Sequence, residues 1–185
     1  MTVPNALTLL RILLTPFLVW LLIHGRMTPA LIVFFISGVT DGLDGLIARV
    51  FNQKSTLGAY LDPLADKLLL VSSFIMLGRM SLVPDWLAVI VVSRDGIIII
   101  GLLTLMFHQV PVEIKPSILS KATTLVELVT ILSRLGHTYV VLPAWGYRIL
   151  FVSTAVLCIA SGVHYMSIGL SLLDGHRNRN NNGRQ

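Results

Sequence analysis

Four aspartates, an arginine and two lysines fall within the 27 residues DGLDGLIARVFNQKSTLGAYLDPLADK, positions 41 to 67, between runs of strongly apolar sequence. Charged groups in hydrocarbon are expensive and mark function. On a helix, Asp41 and Asp44 are three positions apart and share a face, which Ala48 extends, while Asp62 and Asp66 are four apart and share another. Two helices can therefore aim four carboxylates at one point. Four ionised carboxylates in a low-dielectric site repel one another unless cations neutralise them or some become protonated. Divalent metals are the natural solution, and an all-oxygen ligand set suits Mg²⁺, Mn²⁺ or Ca²⁺ rather than zinc. A carboxylate-rich site can hold two metals roughly 3.5 to 4 Å apart and clamp a phosphoryl group during in-line displacement. Phosphoryl-type transfer is the chemistry this spacing points to.

The residues between the acids fit that chemistry. Gly42, Gly45 and Ala48 keep the helix narrow, which serves close helix packing and also leaves room for a ligand against the backbone. Arg49 is suited to a phosphate oxygen, or to anchoring at the membrane edge. Gly58 reads as a turn residue unless a ligand approaches it. The competing structural reading is a set of interhelical ion pairs joining the acids to Arg11, Lys67, Arg94 and Lys121, and Arg94 and Asp95 could simply pair with each other.

The elements that must position these groups are set by hydropathy. The 185 residues are 55% hydrophobic and 12% charged, with a mean hydropathy of +0.82, far from the composition of a soluble domain. At roughly 20 residues per span, the chain has room for about six transmembrane helices and no sizeable extramembrane domain. Apolar runs predict helices near 7–24, 29–50, 61–78, 86–107, 118–135 and 147–172. Gly- and Pro-containing stretches such as HGRMTP and GRMSLVPD separate them. The expected fold is thus an all-α integral membrane protein, a six-transmembrane-helix bundle over 1–173, followed by a polar tail at 174–185 too poor in apolar residues to fold alone.

The formal charge of +5 and pI near 9.8 do not imply nucleic-acid binding, because no basic stripe interleaved with aromatics is present. The cations sit beside apolar runs, where they set topology. With the N-terminus inside, the cytoplasmic side holds Arg49, Lys54, Lys115, Lys121, Arg177, Arg179 and Arg184, and the far side holds Arg26, Arg79, Arg134 and Arg148. That asymmetry favours both termini in the cytoplasm and the aspartates near its mouth. No basic n-region with a small-residue cleavage site is present, so the first apolar run is expected to stay in the mature protein. Cys158 has no partner for a disulfide and reads as packing. The five histidines show no ligand spacing, and Trp20, Trp86 and Trp145 read as interfacial anchors. A carboxylate-lined transporter is the alternative from another class. It would not need this spacing of Asp, Gly, Ala and Arg.

The stretch resembles the signature of the CDP-alcohol phosphatidyltransferases, D-x2-D-G-x2-A-R-x8-G-x3-D-x3-D. All its fixed positions are present, as Asp41, Asp44, Gly45, Ala48, Arg49, Gly58, Asp62 and Asp66. The resemblance extends from PNALTLLRILLTP through the six-helix pattern. It implies transfer of a phosphatidyl group from CDP-diacylglycerol to an alcohol with release of CMP, in a multi-pass protein whose active site opens to the cytoplasm; a bacterial inner membrane is the expected location. It implies that Asp41, Asp44, Asp62 and Asp66 bind two divalent cations, Mg²⁺ or Mn²⁺, with Asp66 as the base for the acceptor hydroxyl. Gly45, Arg49 and Gly58 would contact the cytidine diphosphate, and family members are commonly homodimers. The glycerophospholipid branch uses glycerol 3-phosphate or phosphatidylglycerol as acceptor. Bacterial phosphatidylglycerophosphate synthases carry an Arg-Glu pair and a further Arg in the fourth helix, and G-K-x-K-T opening the fifth. Here SRDGIIIIGLL lacks the further Arg, and in SKATT the second Lys is Thr123. SRD and KPSILSK instead look similar to the CMP-forming cardiolipin synthases, with Arg94 and Lys121 as acceptor-binding residues and a phosphatidylglycerol acceptor. Phosphatidylglycerophosphate synthesis from glycerol 3-phosphate is the alternative.

Overall fold

Each apolar run becomes a helix. The computed structural model describes residues 3–50, 56–107 and 117–182, with side chains described at 8–40, 65–101, 104 and 117–169. The helices are α1 (Val3–Ile23), α2 (Met27–Val50), α3 (Thr56–Arg79), α4 (Asp85–Phe107), α5 (Ile118–Leu135) and α6 (Ala144–Asn182). No strand occurs among the described residues. The all-helical expectation is met.

Local chemistry explains several of the boundaries. Between α1 and α2, Gly25 takes φ +67°, a left-handed conformation that costs glycine nothing. The chain doubles back there, and the Arg26 amide donates to the Leu21 carbonyl at 2.9 Å. Ser117 caps α5, its hydroxyl accepting the Ser120 amide at 3.1 Å, which satisfies one of the open donors of a first turn. At the other end the Gly136 amide closes on the Leu132 carbonyl at 2.8 Å.

Two boundaries differ from the sequence reading. The third helix starts at Thr56 rather than near 61, so Gly58 lies in its first turn instead of in a connection, and Pro63 sits inside the helix. Gly and Pro are helix breakers by propensity, but packing overrides a weak local preference. Helix α6 continues to Asn182, so residues 174–182 are helical where composition predicts a disordered tail. Extending an established helix needs no new nucleus, and polar residues can follow an apolar segment without a core of their own.

Helix α3 holds the bundle together, packing against α1, α4 and α5; α2 packs on α1 and α5, and α6 lies against α4 and α5. The apolar core includes Leu18, Leu22, Phe34, Phe74, Leu77, Leu87, Ile131 and Leu135. The outside is no less apolar: Leu13 is 68% exposed, Val89 63% and Ile100 65%, and Phe35, Leu125 and Val156 also face outward. Meanwhile Arg11, Arg94, Asp95 and Glu127 are buried. Apolar atoms outside and ionisable groups inside invert the usual soluble pattern. By length and composition, one described stretch, Ala144–Gly169, can cross a membrane on its own, and the apolar runs Thr8–Ile23 and Met27–Thr40 are shorter.

Helices α5 and α6 meet along a ladder of polar groups. The Ser117 amide donates to Tyr165 Oη at 3.4 Å, Thr123 Oγ1 to the Leu157 carbonyl at 3.2 Å, and Cys158 Sγ to Glu127 Oε1 at 3.1 Å. Thr130 and Thr154 share a hydroxyl contact at 2.9 Å, and Tyr147 Oη donates to the Ser133 carbonyl at 3.5 Å. From Thr123 to Ser133 the α5 positions recur every three or four residues, the spacing of a single helix face.

Candidate active site

The four aspartates lie on two helices. Asp41 and Asp44 stand three apart on the last turns of α2, and Asp62 and Asp66 four apart in the first half of α3. Continuous helical backbone at both places keeps each pair in register on one face. The side chains of Asp41, Asp44, Asp62, Gly45, Arg49 and Gly58 lie outside the described residues. Among the described residues no group of three or more His, Cys, Asp or Glu is placed to hold a metal. All-carboxylate donors paired on two helix faces nevertheless suit a hard divalent cation.

Asp66 is described, and it is 35% exposed. Its carboxylate accepts from Nη1 of Arg11 on α1, a side chain that is almost wholly buried. Burying a guanidinium is tolerable only with a charged or polar partner. Arg11 thus ties α1 to the fourth aspartate, as the ion-pair reading foresaw for that residue. Just beyond, Pro16 lies inside α1, and the Thr15 hydroxyl donates back to the Arg11 carbonyl at 3.0 Å.

The next residue of α3, Lys67, turns to α4. Its ammonium donates to Oδ1 of Asp95, and the same oxygen accepts Nη1 of Arg94 at 2.6 Å. Nη2 of Arg94 donates to Ser120 Oγ at 3.0 Å and Ser161 Oγ at 2.9 Å. One guanidinium therefore joins α4 to α5 and α6. Arg94 pairs with its sequence neighbour Asp95, as proposed from the sequence, and not with the described member of the quartet. The other acceptor-side candidate, Lys121, is exposed on α5, one residue after the Ser120 that accepts from Arg94.

Glu127 was not singled out from the sequence. It is fully buried, hydrogen-bonded by the Cys158 thiol, and within electrostatic reach of Asp95, Lys67 and Arg94. An acid amid apolar residues of a helix was the available signal. Cys158, read as packing, is buried and free, but it is also a hydrogen-bond donor. Thr123, which stands where a second lysine would open the fifth helix of a glycerol 3-phosphate enzyme, is buried with its hydroxyl on the Leu119 carbonyl at 2.8 Å. It contributes no charge.

The chain is similar to known proteins over most of its length. Residues 1–172 match the family model described as CDP-alcohol phosphatidyltransferase. The chain is 34% identical over 190 residues to the cardiolipin synthase (CMP-forming) of Rattus norvegicus, an alignment covering 91% of this chain and 61% of that protein. The Homo sapiens cardiolipin synthase (CMP-forming) is likewise 34% identical, over 91% of this chain and 62% of its own. A putative cardiolipin synthase of Mycobacterium tuberculosis is 35% identical over 85% of this chain and 74% of its own. The chain thus spans about three fifths of the length of the two mammalian relatives.

Proposed function

The chain belongs to the CDP-alcohol phosphatidyltransferase family, and from that premise we propose that it moves a phosphatidyl group from CDP-diacylglycerol to phosphatidylglycerol, forming cardiolipin and releasing CMP. The observation that carries this reading is the 34% identity, over nine tenths of the chain, to proteins named cardiolipin synthase (CMP-forming). The complete motif from Asp41 to Asp66 supports the chemistry.

In the proposed mechanism Asp41, Asp44, Asp62 and Asp66 hold two divalent cations, Mg²⁺ or Mn²⁺. When bound, these supply charge stabilisation on the diphosphate and on the departing CMP. Gly45 and Gly58 let the cytidine diphosphate approach the backbone, and Arg49 binds a phosphate oxygen. The acceptor's glycerol hydroxyl attacks the phosphatidyl phosphorus and the bond to the CMP oxygen breaks. Asp66 takes the hydroxyl proton. Lys121 makes the acceptor side positive, and Arg94, held by Asp95, Ser120 and Ser161, fixes α4, α5 and α6 around it.

The acceptor follows from the count of cations. A phosphomonoester carries nearly two negative charges near neutral pH, and a glycerol 3-phosphate site needs several cationic donors. A buried, neutral Thr123 supports an acceptor with less charge, and phosphatidylglycerol, a phosphodiester, has one. Purified protein given CDP-diacylglycerol with Mg²⁺ or Mn²⁺ is expected to make cardiolipin from phosphatidylglycerol and little phosphatidylglycerophosphate from glycerol 3-phosphate. The opposite product ratio would overturn the acceptor and leave the transferase class standing.

We place the six helices across a bacterial inner membrane with the aspartates toward the cytoplasm. The outward-facing apolar side chains support this, as do exposed Trp20, Trp86 and Trp145 near the ends of α1, α4 and α6 remote from the motif. Amphipathic rings gather at a membrane interface. In a Cys158→Ser background, a cysteine replacing Ser55 is expected to react with an impermeant thiol reagent only after cells are opened. One replacing the exposed Ser81, in the α3–α4 turn, should react in intact cells. Reversed labelling would invert the topology.

A further inference from the structure

Two cations share one carboxylate oxygen between α3 and α4, and they are not equivalent. Arg94 is 2% exposed and has three side-chain partners on α4, α5 and α6. Lys67 is 20% exposed, and the contact described for its ammonium is Oδ1 of Asp95. The Arg94–Asp95 pair is also unsaturated. Arg94 Nε and Asp95 Oδ2 are both buried without a hydrogen-bond partner among the described groups. An unused donor and an unused acceptor on neighbouring residues leave room for a second arrangement, in which the guanidinium fork takes both carboxylate oxygens.

We infer that Lys67 is a direct ligand of the acceptor's phosphate, released to it by a swap in which Arg94 alone neutralises Asp95. This rests on the proposed transferase reading and deepens it. A buried carboxylate stripped of its counter-ion is strongly destabilising, so a lysine that was the sole partner of Asp95 could not leave. Arg94 removes that obstacle. Lys67 directly follows Asp66, about 100° further round α3, and both are partly exposed. An acceptor phosphate on Lys67 thereby brings the attached glycerol hydroxyl to the side of α3 that carries the base. Arg94 is the buried counterweight, and Lys67 is the cation that moves.

The test uses the full chain in mixed micelles with CDP-diacylglycerol, Mg²⁺ and phosphatidylglycerol. Lys67→Gln is expected to raise KM for phosphatidylglycerol about tenfold or more, the scale of one lost hydrogen bond between charged groups, while KM for CDP-diacylglycerol changes less than about threefold. Lys67→Arg should bring the acceptor KM back to within about threefold of wild type. The thermal midpoint of Lys67→Gln should stay near wild type, because Arg94 still neutralises Asp95. An unchanged acceptor KM, or an equal rise in both KM values, overturns the assignment. So does a Lys67→Gln protein that no longer folds, since Lys67 would then be needed as the structural partner of Asp95. If wild-type protein makes no cardiolipin, the functional reading fails and takes this inference with it. If wild type does and Lys67→Gln behaves like it, only this inference fails.

Discussion

Asp66→Asn is expected to abolish CMP release from CDP-diacylglycerol, with turnover falling by about 10³-fold or more. General-base catalysis alone is worth about 10² to 10⁴, and in the proposed site the same carboxylate also holds metal. The amide keeps the shape of the side chain but cannot accept the acceptor's proton. Because Asp66 also pairs with buried Arg11, the substitution carries a folding cost that could imitate lost chemistry. Arg11→Met separates the two effects: it breaks the same ion pair and keeps the carboxylate. Retained turnover in Arg11→Met beside none in Asp66→Asn places the loss on the chemistry of the carboxylate and not on the fold. Full activity of Asp66→Asn, measured as CMP released per folded enzyme, would falsify the role.

Chelation should be nearly as severe. Turnover is expected to fall by about 10²-fold or more in excess EDTA and to return with added Mg²⁺ or Mn²⁺, because charge stabilisation by a bound cation is worth several kcal/mol. Asp41→Asn and Asp62→Asn should shift the metal concentration for half-maximal activity upward, since each amide is a weaker ligand than the carboxylate it replaces. Undiminished turnover in EDTA would remove the metals from the mechanism and leave the quartet needing another explanation.

The helices were legible because long apolar runs broken by Gly- and Pro-containing stretches record where helices lie, whichever way their side chains face. Five of the six first residues fall within a few positions of the apolar runs. The exception is α3, which begins before Gly58, read as a turn residue, and so carries Pro63 beyond its first turn. Their intrinsic cost is local, whereas the contacts of α3 with three other helices are tertiary and invisible in a one-dimensional pattern. The pairing of the acids was legible for a similar reason: spacings of three and four need only a helix. The partners of Arg94 were half legible. Asp95 is its neighbour in sequence, but Ser120 and Ser161 come from helices 26 and 67 positions away. Nothing in the spacing distinguishes those serines from the other hydroxyls that bond back to their own helix, as Thr124 and Ser153 do. Glu127, and the hydrogen bond that Cys158 donates to it, were missed on the same ground. Each residue reads as an isolated oddity until α5 and α6 are laid side by side.

The polar ladder between α5 and α6 bears on how the chain enters a membrane. Helix α5 carries Lys121, Glu127 and Arg134 in 18 residues, and it is not among the described helices apolar enough to cross alone. Its polar face finds partners on Thr154, Leu157, Cys158 and Tyr165, all of which leave the ribosome after it. Unsatisfied polar groups are costly in hydrocarbon. In the proposed bilayer setting α5 must therefore wait at the translocon until α6, the strongly apolar segment, has been made. The last two helices then enter as a preassembled hairpin, and a chain halted after α5 would leave that helix outside the lipid.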